Sequence, residues 1–187
     1  MLSKKSKRFN IKDYRILFAD FDGVFTDNTV LVSQNGTEYV KCSRADGLAF
    51  DYLNNIGFPV YVISSEKNTV VEARANKLKI ECRQNLGNKV TEIRSIISEL
   101  SYDPKQVIYV GNDINDLGAL NFCGLSFCPL DSHKIIKQAS TVILNTLGGQ
   151  GVFREILEEW FNLDLTDMYM RELSNEHKNN SWNRYKS

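Results

Sequence analysis

Short apolar runs and helical stripes take turns along the chain, and the runs have the length and β-branched content of strands buried on both faces. Ile16-Leu17-Phe18-Ala19 is the first, and it stops abruptly at Asp20-Phe21-Asp22-Gly23. Pro59-Val60-Tyr61-Val62-Ile63 and Gln106-Val107-Ile108-Tyr109-Val110 repeat the pattern, running into Ser64-Ser65 and Gly111-Asn112-Asp113. Shorter runs at 79–82, 125–128 and 141–144 predict further strands. Between the runs, apolar residues recur at helical spacing. Ala49, Leu53 and Ile56 are closed by Gly57, a helix extends to about Leu78, and Val90, Ile93, Ile97 and Leu100 form a stripe that ends before Pro104. Helices through Ala119 and Leu120, around Ile135 and Ile136, and over 152–161 complete the series. The alternation never breaks, so the pattern predicts an α/β fold of three-layer, Rossmann-like form, a parallel sheet with helices packed on it. One stretch departs from it. Residues 29–42 read as two β-rich arms around Asn35-Gly36, a hairpin that leaves the end of the first strand and so stands there as a flap.

A chain of 187 residues with 42% apolar content and formal charge +0 is long enough for one packed domain. That domain is expected over 12–163, between a basic extension at 1–11 and a polar tail at 164–187. Balanced charge provides no field toward nucleic acid or anionic lipid, and no run approaches the roughly 20 apolar residues that span a bilayer. A soluble, cytoplasmic protein without nucleic-acid or membrane partners is expected. The four cysteines, Cys42, Cys82, Cys123 and Cys128, lack Cys-x-x-Cys spacing and read as reduced thiols rather than zinc ligands or disulfides.

Candidate chemistry gathers at the strand ends. In a parallel sheet the C-terminal ends of the strands share one edge, where ligands bind, so Asp20, Asp22, Ser64, Asn112, Asp113 and Asp116 can meet there although distant in sequence, with Lys89 at a helix start. Asp20 and Asp22 point the same way on period-two alternation, and two such carboxylates repel unless a cation or a proton lies between them. A hard divalent ion, Mg²⁺, meets that need. Each part read alone has a plainer reading: Asp22-Gly23 as a turn, Ser64 as a helix cap, Lys89 as a solvated helix residue. Together they are the parts that phosphoryl transfer through an aspartyl-phosphate requires.

Asp20-Phe21-Asp22-Gly23-Val24-Phe25-Thr26-Asp27, the strand-end Ser64, Lys89, and Gly111-Asn112-Asp113-Ile114-Asn115-Asp116 resemble the four motifs of the haloacid-dehalogenase superfamily phosphatases. The hairpin, Asp46-Gly47 and the late Gly148-Gly149-Gln150-Gly151 are similar to its cap-less branch, which dephosphorylates eight- and nine-carbon sugar acids and also forms the C-terminal domain of some acylneuraminate cytidylyltransferases. The resemblance implies Asp20 as nucleophile, Asp22 as general acid and base, Ser64 and Lys89 as phosphoryl-binding groups, and Mg²⁺ held by Asp20, Asp22, Asn112 and Asp113. It further implies substrate contacts from Thr26, Asp46, Ser65, Glu66, Arg74 and Lys77, and a homotetramer in which a neighbouring subunit serves as lid, because neither 22–64 nor 64–89 leaves room for a cap domain. The chain departs from the commonest pattern at Asn112, where an aspartate is usual. That change removes one negative charge from the metal site, Asp113 or Asp116 being candidates to compensate, and it keeps open a reading as a catalytically weak module that assists a cytidylyltransferase.

Substrate choice is sought in the helix after the second strand. Taken as helical from residue 66, Glu66, Arg74 and Lys77 fall on one face, which reads either as a solvated ion-pair face or as a recognition face for a carboxylated polyol. The same spacing resembles that of the nonulosonate 9-phosphate phosphatases, and the resemblance implies a nine-carbon substrate in preference to the eight-carbon one.

Overall fold

The computed structural model describes residues 8–166 and 170. The basic run before residue 8 and the polar tail beyond residue 170 lie outside the described residues. Strands β1 (Ile16–Ala19), β4 (Val60–Ile63), β5 (Glu81–Arg83), β6 (Val107–Val110), β7 (Leu125–Cys128) and β8 (Val142–Ile143) form one sheet in the order β5-β4-β1-β6-β7-β8. Every pairing in it is parallel. β1 is central, flanked by β4 and β6, so the three runs that end in polar residues are adjacent and present their C-terminal ends side by side.

Alternation along the strands sorts the core into two layers. Leu17 and Ala19 face helices α1 (Ala45–Asn55), α2 (Thr69–Leu78) and α6 (Val152–Glu155). Ile16 and Phe18 face α3 (Lys89–Glu99), α4 (Leu117–Phe122) and α5 (Lys134–Ala139). In the first layer Phe25, Phe50 and Phe153 lie with ring centroids 4.6–5.5 Å apart, joining the segment after β1 to α1 and α6. Truncating any of these rings to alanine costs on the order of 3–5 kcal/mol. The packed core runs from Phe9, whose N–H donates to the Trp160 carbonyl at 2.9 Å, to Leu165, which is buried.

Three expectations are corrected, and a fourth, the hairpin over 29–42, is met over a shorter span. Its arms pair antiparallel at β2 (Leu31–Val32) and β3 (Glu38–Tyr39), both exposed. A two-stranded ribbon with no apolar face packed beneath it holds little pairing, and an isolated Thr26–Cys42 bridge closes its base. β5 starts at Glu81 rather than Lys79, because Lys79 adopts φ 56° and caps α2, giving its N–H to the carbonyls of Ala75 and Asn76. Helix α2 begins at Thr69, where Asn68 accepts the Val70 N–H. Glu66 is therefore in a loop, not on a helical face with Arg74 and Lys77. Lastly, the 152–161 stripe is α-helical only to Glu155 and continues as a π-helix, Ile156–Trp160, closed by Phe161 N–H to the Ile156 carbonyl.

Candidate active site

The ends of β1, β4 and β6 open into a cleft of about 430 Å³ lined by Asp20, Asp22, Ser64, Ser65, Glu66, Asn112 and Asp113, with Asn28, Ile114 and Asn115. Its floor is an ion triad. Lys89, buried at the first residue of α3, places Nζ 2.8 Å from Asp20 Oδ1 and 2.6 Å from Asp116 Oδ1. Asp116 is fully buried and its acceptor capacity is full. Besides Lys89 it accepts from the Tyr109 hydroxyl at 2.7 Å and from the N–H groups of Asn112 and Asp113 at 2.8 and 3.2 Å. It therefore anchors the lysine and shapes the loop after β6 rather than facing a ligand. Tyr109, two residues before Gly111, was not singled out by sequence, since a tyrosine inside a buried strand reads as core.

Burial raises both acids of the first motif. Burial, and then the charge of Asp116, push the Asp20 carboxyl up to about 7 against the pull of Lys89. Asp22 is raised by burial and by Glu66, with a hydrogen bond from Thr26 pulling the other way. Burial alone would lower the Lys89 ammonium, but Asp20 and Asp116 carry it above its ordinary value. Ser64 is buried and its Oγ accepts the Glu66 N–H at 3.3 Å, which leaves its O–H to donate into the cleft.

Not every candidate faces the cleft. Thr26 is buried, its hydroxyl donating to Asp22 Oδ1 at 3.4 Å and accepting from the N–H groups of Gly23 and Asn28 at 3.2 and 3.3 Å, so it organises the turn after β1 and does not line the cleft. Asp46 is likewise buried, and its Oδ1 accepts the N–H groups of Phe153 and Arg154 at 2.9 and 3.3 Å. Its carboxylate caps α6 and is withdrawn from substrate. Arg74 donates to the Ser43 carbonyl at 2.7 Å, Lys77 is exposed on α2, and neither lines this cleft. The glycine-rich segment abuts the catalytic turn from behind: a Cβ on Gly149, at φ 67°, would lie 2.6 Å from the Thr26 carbonyl carbon.

The donor set suits a hard cation. Among the described residues no group of three or more His, Cys, Asp or Glu side chains could hold a metal ion. An amide oxygen and a main-chain carbonyl can ligate as well, and one such oxygen has unmet demand: Asn112 Oδ1 is buried without a hydrogen-bond partner among the described residues. A buried orphan acceptor beside a carboxylate raised by its surroundings is an environment that a divalent cation relieves. Asp113, by contrast, is exposed and its Oδ1 accepts the Ile114 N–H at 2.7 Å.

Residues 60–156, more than half of the chain, match the haloacid dehalogenase-like hydrolase family. The chain belongs to the haloacid dehalogenase-like hydrolases. That match begins at β4, so the Asp20–Asp22 pair lies outside it and rests on the sheet geometry. An N-acylneuraminate cytidylyltransferase from Oncorhynchus mykiss is 32% identical over 149 residues, 77% of this chain but 34% of the relative, so this haloacid dehalogenase-like chain spans about a third of that protein. A 3-deoxy-D-manno-octulosonate 8-phosphate phosphatase from Salmonella typhi is 28% identical, with 79% of each protein covered. Among solved structures, the cobalt-bound deoxy-D-mannose-octulosonate 8-phosphate phosphatase of Haemophilus influenzae superposes with a TM-score of 0.76 at 27% identity, covering 81% of this chain and 90% of that one.

Proposed function

We propose that this haloacid dehalogenase-like hydrolase is a Mg²⁺-dependent phosphatase that removes phosphate from a sugar acid through an aspartyl-phosphate on Asp20. One observation carries the reading: Asp20, Asp22, Ser64, Lys89 and Asn112, dispersed over ninety residues of sequence, border one cleft or its floor, with the Asp20 carboxylate gripped by Lys89 at 2.8 Å. Asp20 Oδ attacks phosphorus while Asp22, whose affinity for a proton is raised by burial, gives a proton to the departing alkoxide. Asp22 then takes a proton from the water that attacks the acyl phosphate, which restores Asp20 and releases inorganic phosphate. Ser64 and Lys89 donate to the non-bridging oxygens, and Lys89 offsets the repulsion between Asp20 and the incoming dianion. Asp20, the main-chain carbonyl of Asp22 and Asn112 would hold Mg²⁺, with Asp113 at the rim, and the ion supplies Lewis-acid polarisation of the phosphoryl group.

The match to sugar-acid phosphatases over most of their length supports a phosphorylated ulosonic acid as substrate. Glu66 and Ser65 line the outer cleft and offer acceptors to its hydroxyls. The nine-carbon preference then places Arg74 and Lys77 at a neighbour's cleft. The exposed hairpin residues Val30, Leu31, Val32 and Tyr39 support that assembly, a homotetramer whose adjacent subunit closes the site, since an apolar ribbon of this kind gains by burial against another copy. A second reading, a weakly catalytic module beside a cytidylyltransferase, is favoured by Asn112 and by the Oncorhynchus relative. Phosphate release from eight- and nine-carbon sugar-acid phosphates, with and without Mg²⁺, decides between them. The phosphatase reading expects Mg²⁺-dependent turnover that is faster on the nine-carbon ester, and no turnover on either ester supports the module.

A further inference from the structure

Asn28 supports an inference that rests on the phosphatase reading of the cleft and extends it to the leaving group. It is a non-glycine residue at φ 59°, a region where L side chains are disfavoured and asparagine less so than most. The turn around it is held on both sides. Buried Thr26 accepts the Asn28 N–H at 3.3 Å with the same hydroxyl that donates to Asp22. On the other side Asp27 pairs with Lys41 at 3.2 Å and accepts from the Thr29 hydroxyl at 2.5 Å. The Asn28 side chain is thereby set on the cleft wall with Asp22, Ser65 and Glu66. Its carboxamide makes no hydrogen bond among the described residues, whereas the turn engages only its main-chain N–H. Glycine would close that turn with no steric cost, so the amide is not needed for the turn.

Position decides what the amide meets. Asp20, Ser64 and Lys89 are buried at the inner end of the cleft, Asp22 is half-buried, and Asn28, Ser65 and Glu66 are exposed at its mouth. With the phosphoryl group held at the inner end and its ester oxygen at Asp22, the carbon chain of the leaving alcohol extends into that mouth. We propose that Asn28 is a specificity-determining residue that reads hydroxyl groups on the leaving alcohol. The amide supplies one donor and one acceptor group and adds no charge to a mouth that already holds Asp22, Glu66 and Asp113. The ligand class is a phosphate monoester of a polyhydroxylated alcohol.

Asn28→Gly keeps the left-handed turn and deletes the amide. Wild type and variant are compared in Mg²⁺ on 3-deoxy-D-manno-octulosonate 8-phosphate and on phenyl phosphate, whose leaving group has no further hydroxyl. The ratio of kcat/KM between the two esters is expected to fall about tenfold in the variant, mainly through KM, as for loss of one or two neutral hydrogen bonds to substrate. Asn28→Asp, which adds a charge beside Asp22 and Glu66, lowers the rate on the sugar-acid ester further still. An unchanged ratio in Asn28→Gly, or equal losses on both esters, overturns the role of Asn28 and leaves the phosphatase reading standing. Absence of phosphate release by the wild type from eight- and nine-carbon sugar-acid phosphates alike overturns that reading and this inference with it.

Discussion

Two sets of buried carboxylates sit on opposite sides of the catalytic turn, and they differ in who satisfies them. Behind the turn, Asp46 accepts two main-chain N–H groups of α6, and Glu155 accepts from Asn145 N, Asn145 Nδ2 and Thr146 N at 2.7–3.3 Å. In front of it, Asp20 leans on Lys89, which it shares with Asp116, while Asn112 Oδ1 has no donor among the described residues. The rear pair has the bonds of a framework, complete as folded. The front set has the incompleteness of a binding site, because its acceptors exceed its donors. A buried acid is therefore diagnostic of chemistry only after its hydrogen-bond partners are counted.

The largest effect that would break this contrast comes from Asp20, the proposed nucleophile. Asp20→Asn should lower turnover about 10³-fold or more while the protein still folds, since it removes a charge that burial and Asp116 oppose and leaves Lys89 paired with Asp116. Wild-type phosphate release by that variant would make Asp20 another framework acid. Lys89→Met should cost both properties. Leaving Asp20 and Asp116 buried without their cation destabilises by about 3–5 kcal/mol, read as a lowered midpoint in urea, and activity falls with it. Glu155→Gln should separate them: an amide in place of the carboxylate turns a donor toward main-chain N–H groups and costs about 1–3 kcal/mol, while kcat/KM of the folded protein stays near wild type. A Glu155→Gln protein of full stability and lost activity would place that acid in the chemistry.

The smallest effect is a pH dependence. The Asp20 carboxyl is raised from an ordinary value of 3.8 to about 7, so the metal-free fold retains a proton that the unfolded chain releases. Its contribution to stability is complete below about pH 4 and is lost as pH rises toward 7. On the proposed function, Mg²⁺ bound at Asp20 would compete with that proton. The rise in Tm on adding Mg²⁺ should therefore be small at pH 5 and larger at pH 8, and a Tm increment that shrinks with rising pH would count against Asp20 as a ligand.

The sheet was legible because β1, β4 and β6 are apolar runs bounded by polar ends, and burial on both faces leaves few other ways to place them. The inner cleft was legible for the same reason, since parallel strands bring Asp20, Ser64 and Asn112 to one edge whatever lies between them. What sequence could not show depends on distance and direction. Asp46 lies 107 residues from Phe153, and nothing local says that its carboxylate is taken by the start of α6. Glu66 lost its helical face to a single asparagine cap, because the Asn68 side chain starts α2 three residues later than the charge pattern suggested. The π-helical end of the last helix is hidden too, since its apolar stripe is broad enough to bury in either winding.

The central claim, that Asp20 carries the phosphoryl group, is tested most directly by acid-quenching the protein during turnover of a sugar-acid phosphate in Mg²⁺ and mapping the adduct by peptide mass spectrometry. The account predicts a phosphoryl group on the peptide bearing Asp20, localised to that residue and absent from Asp20→Asn. Turnover with no adduct at any time point, or an adduct on another residue, would contradict it.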